Sequence, residues 1–307
     1  MTGFIRAGWA GLALTLIALT AACTAPGQPD TSVHTADPTP AFNARAKQVA
    51  QQWSGLKPTN WTTAFMPLED LTVFPSDPGF SKQQLRDFYN GQLTFEATEP
   101  VAPSQGNVTF ADGSRLALPL ESPNKAFAQL PRRLDQSCVS PLAPVPSKCL
   151  IVTRVRLGIV TLLTSRGMAQ VPAWLFTFQK VSAPVAEIAI ARSAISKVPS
   201  FDVSRTVEQN IGWVQHLVRI SGKTVTFQAG YGSCDTDLHP LVYEDAHVIV
   251  LGDRTTPTAG SGACDAVGHR GIMSVTLQRS LGSRAILDNS TGVPLTITLG
   301  AQYPFPG

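Results

Sequence analysis

Leu150-Ile-Val-Thr-Arg-Val-Arg-Leu-Gly-Ile-Val-Thr-Leu-Leu-Thr164, then Ser165-Arg-Gly167, then Val171-Pro-Ala-Trp-Leu-Phe-Thr-Phe178, is the stretch that decides the fold class. Both outer runs are rich in β-branched and aromatic residues, which suit a pleated, half-buried surface. Ser165-Arg-Gly167 is a turn signal, so one or two strands go out and one returns. Pro172 has no N–H to give to a ladder, which places the returning strand at an edge or at a bulge.

The same pattern continues towards the C-terminus. Leu217-Val-Arg-Ile220 and Thr224-Val-Thr-Phe227 flank Ser221-Gly222, and residues 246–251 read as a buried strand. Met273, Val275 and Leu277 alternate with polar residues, as do Leu295, Ile297 and Leu299. Turns at roughly ten-residue intervals point to a sandwich or an open barrel. Towards the N-terminus, two short runs flank Asp112-Gly113, a hairpin signal. Before them, Phe42, Ala46, Val49 and Trp53 fall at helical spacing within residues 42–56. Ser81 is a good N-cap for a short helix that stops at Gly91, and residues 122–130 hold one or two helical turns. The expected fold class is α+β and β-dominated, with short N-terminal helices followed by antiparallel β-sheets. The composition agrees: only 15% of residues are charged, and glycine and proline number 24 each.

The first 40 residues read differently. Met1-Thr-Gly-Phe-Ile-Arg6 carries one positive charge, residues 7–22 carry none, and small residues precede Cys23. This is the layout of a secretory signal, too short to span a bilayer. Leu19-Thr-Ala-Ala-Cys23 resembles the lipobox of bacterial lipoproteins, with Thr20 where leucine is usual. The resemblance implies cleavage before Cys23 and a diacylglycerol on its sulfur. Two acyl chains give a stable anchor where one holds weakly. Residues 23–40, rich in Pro, Thr and Asp, cannot bury apolar surface and read as a disordered tether. The expected layout is therefore 1–22 signal peptide, 23–40 lipidated tether, 41–199 an α+β subdomain and 200–307 a β-rich subdomain.

Setting Cys23 aside leaves Cys138, Cys149, Cys234 and Cys264. An even count outside the cytoplasm reads as disulfides. Cys138 with Cys149 and Cys234 with Cys264 is the favoured pairing, each within one local β segment. Loops of about 12 and 31 residues give on the order of 3 to 4 kcal/mol each in the chain-entropy model. A rival zinc reading of Cys234, His239, Cys264 and His269 has spacings unlike those of the common fingers. No metal and no cofactor is expected.

Signals for chemistry are weak. There is no Gly-x-Ser-x-Gly elbow, no phosphate-binding glycine loop and no His-Glu-x-x-His. Ser122-Pro-Asn-Lys125 is an unconvincing Ser-x-x-Lys, since Pro123 suits the first position of a helix. Glu69-Asp70 and Glu244-Asp245 are adjacent and would point to opposite faces of a strand, which suits a solvated edge. His216 and His247 read as strand histidines, and Trp53, Trp61, Trp174 and Trp213 as core. No catalytic residue is assigned. The net charge of +3, without any basic run, gives no support to nucleic-acid binding.

Two stretches resemble a group of uncharacterised actinobacterial lipoproteins and secreted proteins. One is Thr164-Ser-Arg-Gly167 with Val171-Pro-Ala-Trp174. The other runs from Gly230-Tyr-Gly-Ser-Cys234-Asp through Glu244 and Cys264 to Leu281-Gly-Ser-Arg284-Ala-Ile-Leu-Asp288 and Thr291-Gly292. The resemblance implies the compartment and the paired cysteines, and no activity. Arg284 and Asp288 are candidates to pair across the corner they flank. The function expected is that of a membrane-anchored envelope lipoprotein, held to lipid through Cys23. It would act as a binding or accessory protein for an envelope protein, a glycan or a small molecule. The alternative is an envelope hydrolase or other extracytoplasmic enzyme without a recognisable motif.

Overall fold

The computed structural model describes residues 39–75, 79–130, 149–198, 211–257 and 268–298. The signal peptide, Cys23, almost all of the tether, Cys138, Cys264 and the expected boundary at 199/200 lie outside the described residues. From Asp37 onward the chain forms one compact unit.

In chain order the elements are α1 (Thr39–Leu56), β1 (Thr72–Val73), α2 (Lys82–Tyr89), β2 (Leu93–Phe95), β3 (Gln105–Phe110), β4 (Arg115–Pro119) and α3 (Pro123–Ala128). Then come β5 (Leu150–Thr164), β6 (Gly167–Phe178), β7 (Val185–Ile188) and a 3-10 turn at Arg192–Ala194. The last part holds β8 (Ile211–Gly212), β9 (Val214–Ser221), β10 (Thr224–Gly232), β11 (Asp235–Glu244), β12 (Val248–Pro257), β13 (Gly268–Thr276) and β14 (Ala285–Asp288). The protein is α+β and β-dominated, with open sheets.

The opening stretch forms a long hairpin, β5 and β6, registered from Val152 opposite Phe178 to Thr164 opposite Gly167. It carries the first sheet. β2 pairs with β5 in parallel, and the far edge of β6 is shared by β3, with β4 beyond it, and β7, with β1 beyond it. Pro172 therefore lies inside the sheet and not on an edge strand. Its carbonyl accepts from Ala189 N–H at 2.9 Å, on the side away from β5. The proline nitrogen faces that same side, at the gap between β3, which ends its pairing at Gln170, and β7, which begins at Ala173. The ladder to β5 loses nothing.

Both faces of this sheet are packed. Trp174, Phe176 and Phe178 meet Phe74, Phe88 and Phe127 on the α2/α3 side, while Val171, Ala173 and Ile188 meet Phe65, Val108 and Phe110 on the other. α2 starts at a full capping box: Ser81 Oγ accepts from Gln84 N–H, and Gln84 Oε1 accepts from Ser81 N–H at 2.8 Å. Such a cap contributes about 1 kcal/mol.

The second sheet is β9-β10-β13 and the third is β11-β12, with β8 and β14 side by side on the far edge of β12. β12 and β14 run parallel. Inward residues such as Phe227, Leu217 and Met273 share one core with Ile249 and Leu251 of β12. α1 joins that core through Phe42, Ala46, Val49 and Trp53, the stripe its spacing predicts. Gly252 makes room for it, since a Cβ there would meet the Phe42 ring at 3.0 Å. Arg45 then ties the helix down by donating to the carbonyls of Asn289 and Ser290, both at 3.1 Å.

Candidate functional site

One end of α1 overhangs a cavity of about 490 Å³. Ala50, Trp53 and Ser54 line it from the helix and Lys57 from just past its end, at the i, i+3, i+4, i+7 spacing of a single face. Trp61 closes the back and packs edge-on against Trp53, with ring centroids 4.9 Å apart at 80°. Opposite stand the β11–β12 turn at Asp245, Ala246 and His247, and the residues leading into β14, Ser283 and Arg284.

Each wall is held by buried polar groups. Ser165 Oγ donates to the Trp61 carbonyl at 2.6 Å, which fixes the loop carrying that ring. Gly167, at φ +85°, closes the β5–β6 turn against the Gly282 turn, and a Cβ on it would sit 2.0 Å from the Gly282 carbonyl oxygen. The Ser-Arg-Gly and Leu-Gly-Ser-Arg stretches, more than a hundred residues apart in sequence, thus press on each other beside the cavity.

Arg284 is the hub of the opposite wall. Its guanidinium donates to Glu244 Oε2 at 2.7 Å and to the carbonyls of Leu281, Arg279, Ser280 and Asp245 at 2.9 to 3.4 Å. Both side chains of the Arg284–Glu244 pair are 7% exposed. Burial opposes the Glu244 charge, but hydrogen bonds from Arg284 and from the Gln278 N–H, with the nearby cation, outweigh it and hold the carboxyl below its ordinary range. Glu244 is therefore not a solvated edge residue. Nor does Arg284 pair with Asp288. They flank a four-residue strand, which separates their Cα atoms by about 13 Å. Asp288 accepts instead from Val214 N–H, Ser290 Oγ, Thr291 N–H and Thr291 Oγ1, which closes a self-bonded turn.

The two histidines separate. His216 is a strand histidine bonded to Gln228 Oε1 at 2.8 Å. His247 is not: it is exposed at the β11–β12 turn and lines the cavity. Its backbone N–H and that of Val248 donate to Asp245 Oδ1. Among the described residues no serine or cysteine bonds to either ring, so no nucleophile–base pair stands here. Lys57 is likewise exposed and has no ion-pair partner among the described residues. The cavity offers apolar surface from Ala50 and the two tryptophans, with the Lys57 ammonium and the His247 imidazole uncommitted.

Trp53, Trp61 and Trp174 are buried, and Trp213 is half-buried. Glu69 accepts from Leu163 N–H at 2.9 Å and so is tied into the sheet. Cys149 precedes β5, and Cys234 sits in the turn between β10 and β11. Lys57 gave no signal in sequence, and Arg284 stood out only as a candidate partner of Asp288, not of Glu244. No protein-family model matches the chain, and neither a curated protein nor a solved structure matches it.

Proposed function

We propose that the chain is an exported lipoprotein, anchored through Cys23, whose folded domain binds a small organic molecule in the cavity beside α1. The cavity carries this reading. Its volume lies in the range typical of small-molecule sites, and it joins apolar walls to a few polar groups. Its supports are buried hydrogen bonds rather than mobile surface contacts, so the site is preformed. The ligand chemistry it suits is an apolar, flat body bearing one anionic group, the group set against Lys57 and His247. Among the described residues no serine or cysteine bonds to the His247 ring, which favours binding over hydrolysis at this cavity.

The lipobox-like run before Cys23 supports the anchor and an extracytoplasmic location. Pairing of Cys138 with Cys149 and of Cys234 with Cys264 belongs to the same reading, supported by the even count of four cysteines that remains once Cys23 is set aside. Cys23→Ala should move the protein from the membrane fraction to the medium, and retention in the membrane would overturn the anchor.

The site is tested with 8-anilinonaphthalene-1-sulfonate, a flat apolar anion. Wild-type protein should bind one molecule saturably, with energy transfer from tryptophan. Ser54 is exposed on the cavity face of α1, so Ser54→Trp should fill the space and abolish binding while stability changes by about 0.5 kcal/mol or less. Lys57→Ala should weaken binding about tenfold, which is the loss of one charge-assisted contact. Unsaturable binding, or binding indifferent to Ser54→Trp, would overturn the proposal.

A further inference from the structure

Away from the cavity, the first sheet buries two carboxylates around one guanidinium. Glu187 of β7 is 0% exposed and faces Thr72 of β1, whose hydroxyl donates to Glu187 Oε2 at 2.5 Å. The other Glu187 oxygen takes the Arg192 guanidinium from the 3-10 turn. Arg192 also donates to Gln129 Oε1 at the end of α3. Gln129 in turn donates to Glu121 Oε2 at 2.9 Å, while Glu121 Oε1 is buried without a hydrogen-bond partner among the described residues. The Glu121 backbone is pinned by the Trp174 indole N–H, which donates to its carbonyl at 2.9 Å.

We propose that Glu121, Glu187 and Arg192 form a proton-operated latch that holds α3 on the sheet. Two carboxylates and one cation leave the cluster one proton short of neutrality, and a buried uncompensated charge is costly. The charged groups around it are few. Arg192 acts on both carboxylates, Lys125 of α3 acts on Glu121 from the surface, and β1 and β6 contribute only the Thr72 hydroxyl and the Trp174 indole. Burial pushes the Glu187 carboxyl up to about 7, with Thr72 and Arg192 pulling the other way and the Glu121 charge adding to the rise. Burial raises Glu121 too, against Gln129, Arg192 and Lys125. The pair therefore takes up its proton as a unit near neutral pH.

The two members differ in freedom. Glu187 is fixed mid-strand between Thr72 and Trp174. Glu121 immediately precedes Ser122, the N-cap of α3. Losing the shared proton places a second negative charge beside Glu187. The relief open to the chain is to turn the Glu121 side chain into water, which gives up its bond to Gln129 and loosens the end of α3. Acid closes the latch and alkali loosens it.

Hydrogen exchange, followed by mass spectrometry and corrected for the intrinsic pH dependence, tests this on the full chain. Protection of residues 122–130 should fall about tenfold from pH 6 to pH 8.5, while protection of β9 and β10 holds. In Glu187→Gln the cluster is neutral without a proton, so protection of α3 should stay flat with pH. Glu121→Gln provides the same reading from the mobile side. A flat wild-type profile would overturn the latch, as would a fall that survives both substitutions or one shared equally by β9 and β10.

Discussion

Asp253→Asn is expected to raise the thermal midpoint at pH 8 by roughly 5 to 10 °C more than at pH 5, taking about 2 to 4 °C per kcal/mol for a domain of this size. Asp253 sits mid-way along β12, 0% exposed, and among the described residues neither carboxylate oxygen has a hydrogen-bond partner. It lies over Gly212 of β8, where a Cβ would sit 2.3 Å from Asp253 Oδ1. Burial pushes this carboxyl up to about 7, and the charges of Asp288 and Asp235 add to the rise. The native carboxyl thus holds its proton where the unfolded one has lost it. Stability must fall as pH rises from about 4 through 7, and the full penalty stands above that. Linkage between an unfolded value of 3.8 and a native value of about 7 gives a loss of about 2 to 3 kcal/mol between pH 5 and pH 8. Asparagine does not titrate, so its curve lacks this loss. Glu187 titrates in the same window, but it does so in both proteins, and the difference between them isolates Asp253. Melting curves at pH 5, 6, 7 and 8 decide the matter. Parallel wild-type and variant curves would show that Asp253 is ionised or solvated in the native state.

Removing the Arg284 guanidinium should be among the most damaging single changes. Arg284→Met keeps the length and apolar character of the stem but strands Glu244 and four carbonyl oxygens. Breaking a buried pair on one side costs about 3 to 5 kcal/mol, because the remaining charge stays buried. A fall in melting temperature of roughly 10 °C follows on the same scale. Arg284→Lys should recover only part of it, since an ammonium has three donors to set against five acceptors. The same variant should lose binding of the naphthalene sulfonate, because the β11–β12 turn and the approach to β14 are both held by this side chain. A loss below about 1 kcal/mol would mean that water replaces the guanidinium, and the wall would then not be preformed.

Much of the local structure was legible. The Phe42, Ala46, Val49, Trp53 stripe, the Ser81 cap and the Asp112-Gly113 hairpin follow from spacing and turn chemistry within a few residues. Where the reading went astray, a long-range pairing was responsible. Pro172 reads as an edge or bulge residue, and it is neither, because the gap between β3 and β7 on one side of β6 is set by where three distant strands end. Glu244 read as solvated because its partner lies 40 residues away. His247 read as a strand histidine because the apolar run beyond it belongs to β12, while the residue itself belongs to the turn.

Local signals in the sequence settled the fold class: short helices, then a series of turn-bounded strands in open sheets. These depend on propensity, alternation and capping, which act over a handful of residues. Tertiary structure alone decided the site. Trp53, Trp61, His247 and Arg284 come from a helix, a loop, a turn and the approach to a strand, and nothing local marks them as neighbours. The burial of Asp253, and of Glu121 with Glu187 around one arginine, was equally beyond the sequence. A carboxylate's pKa is set by which groups surround it and how far water is excluded, and both are properties of the packed chain.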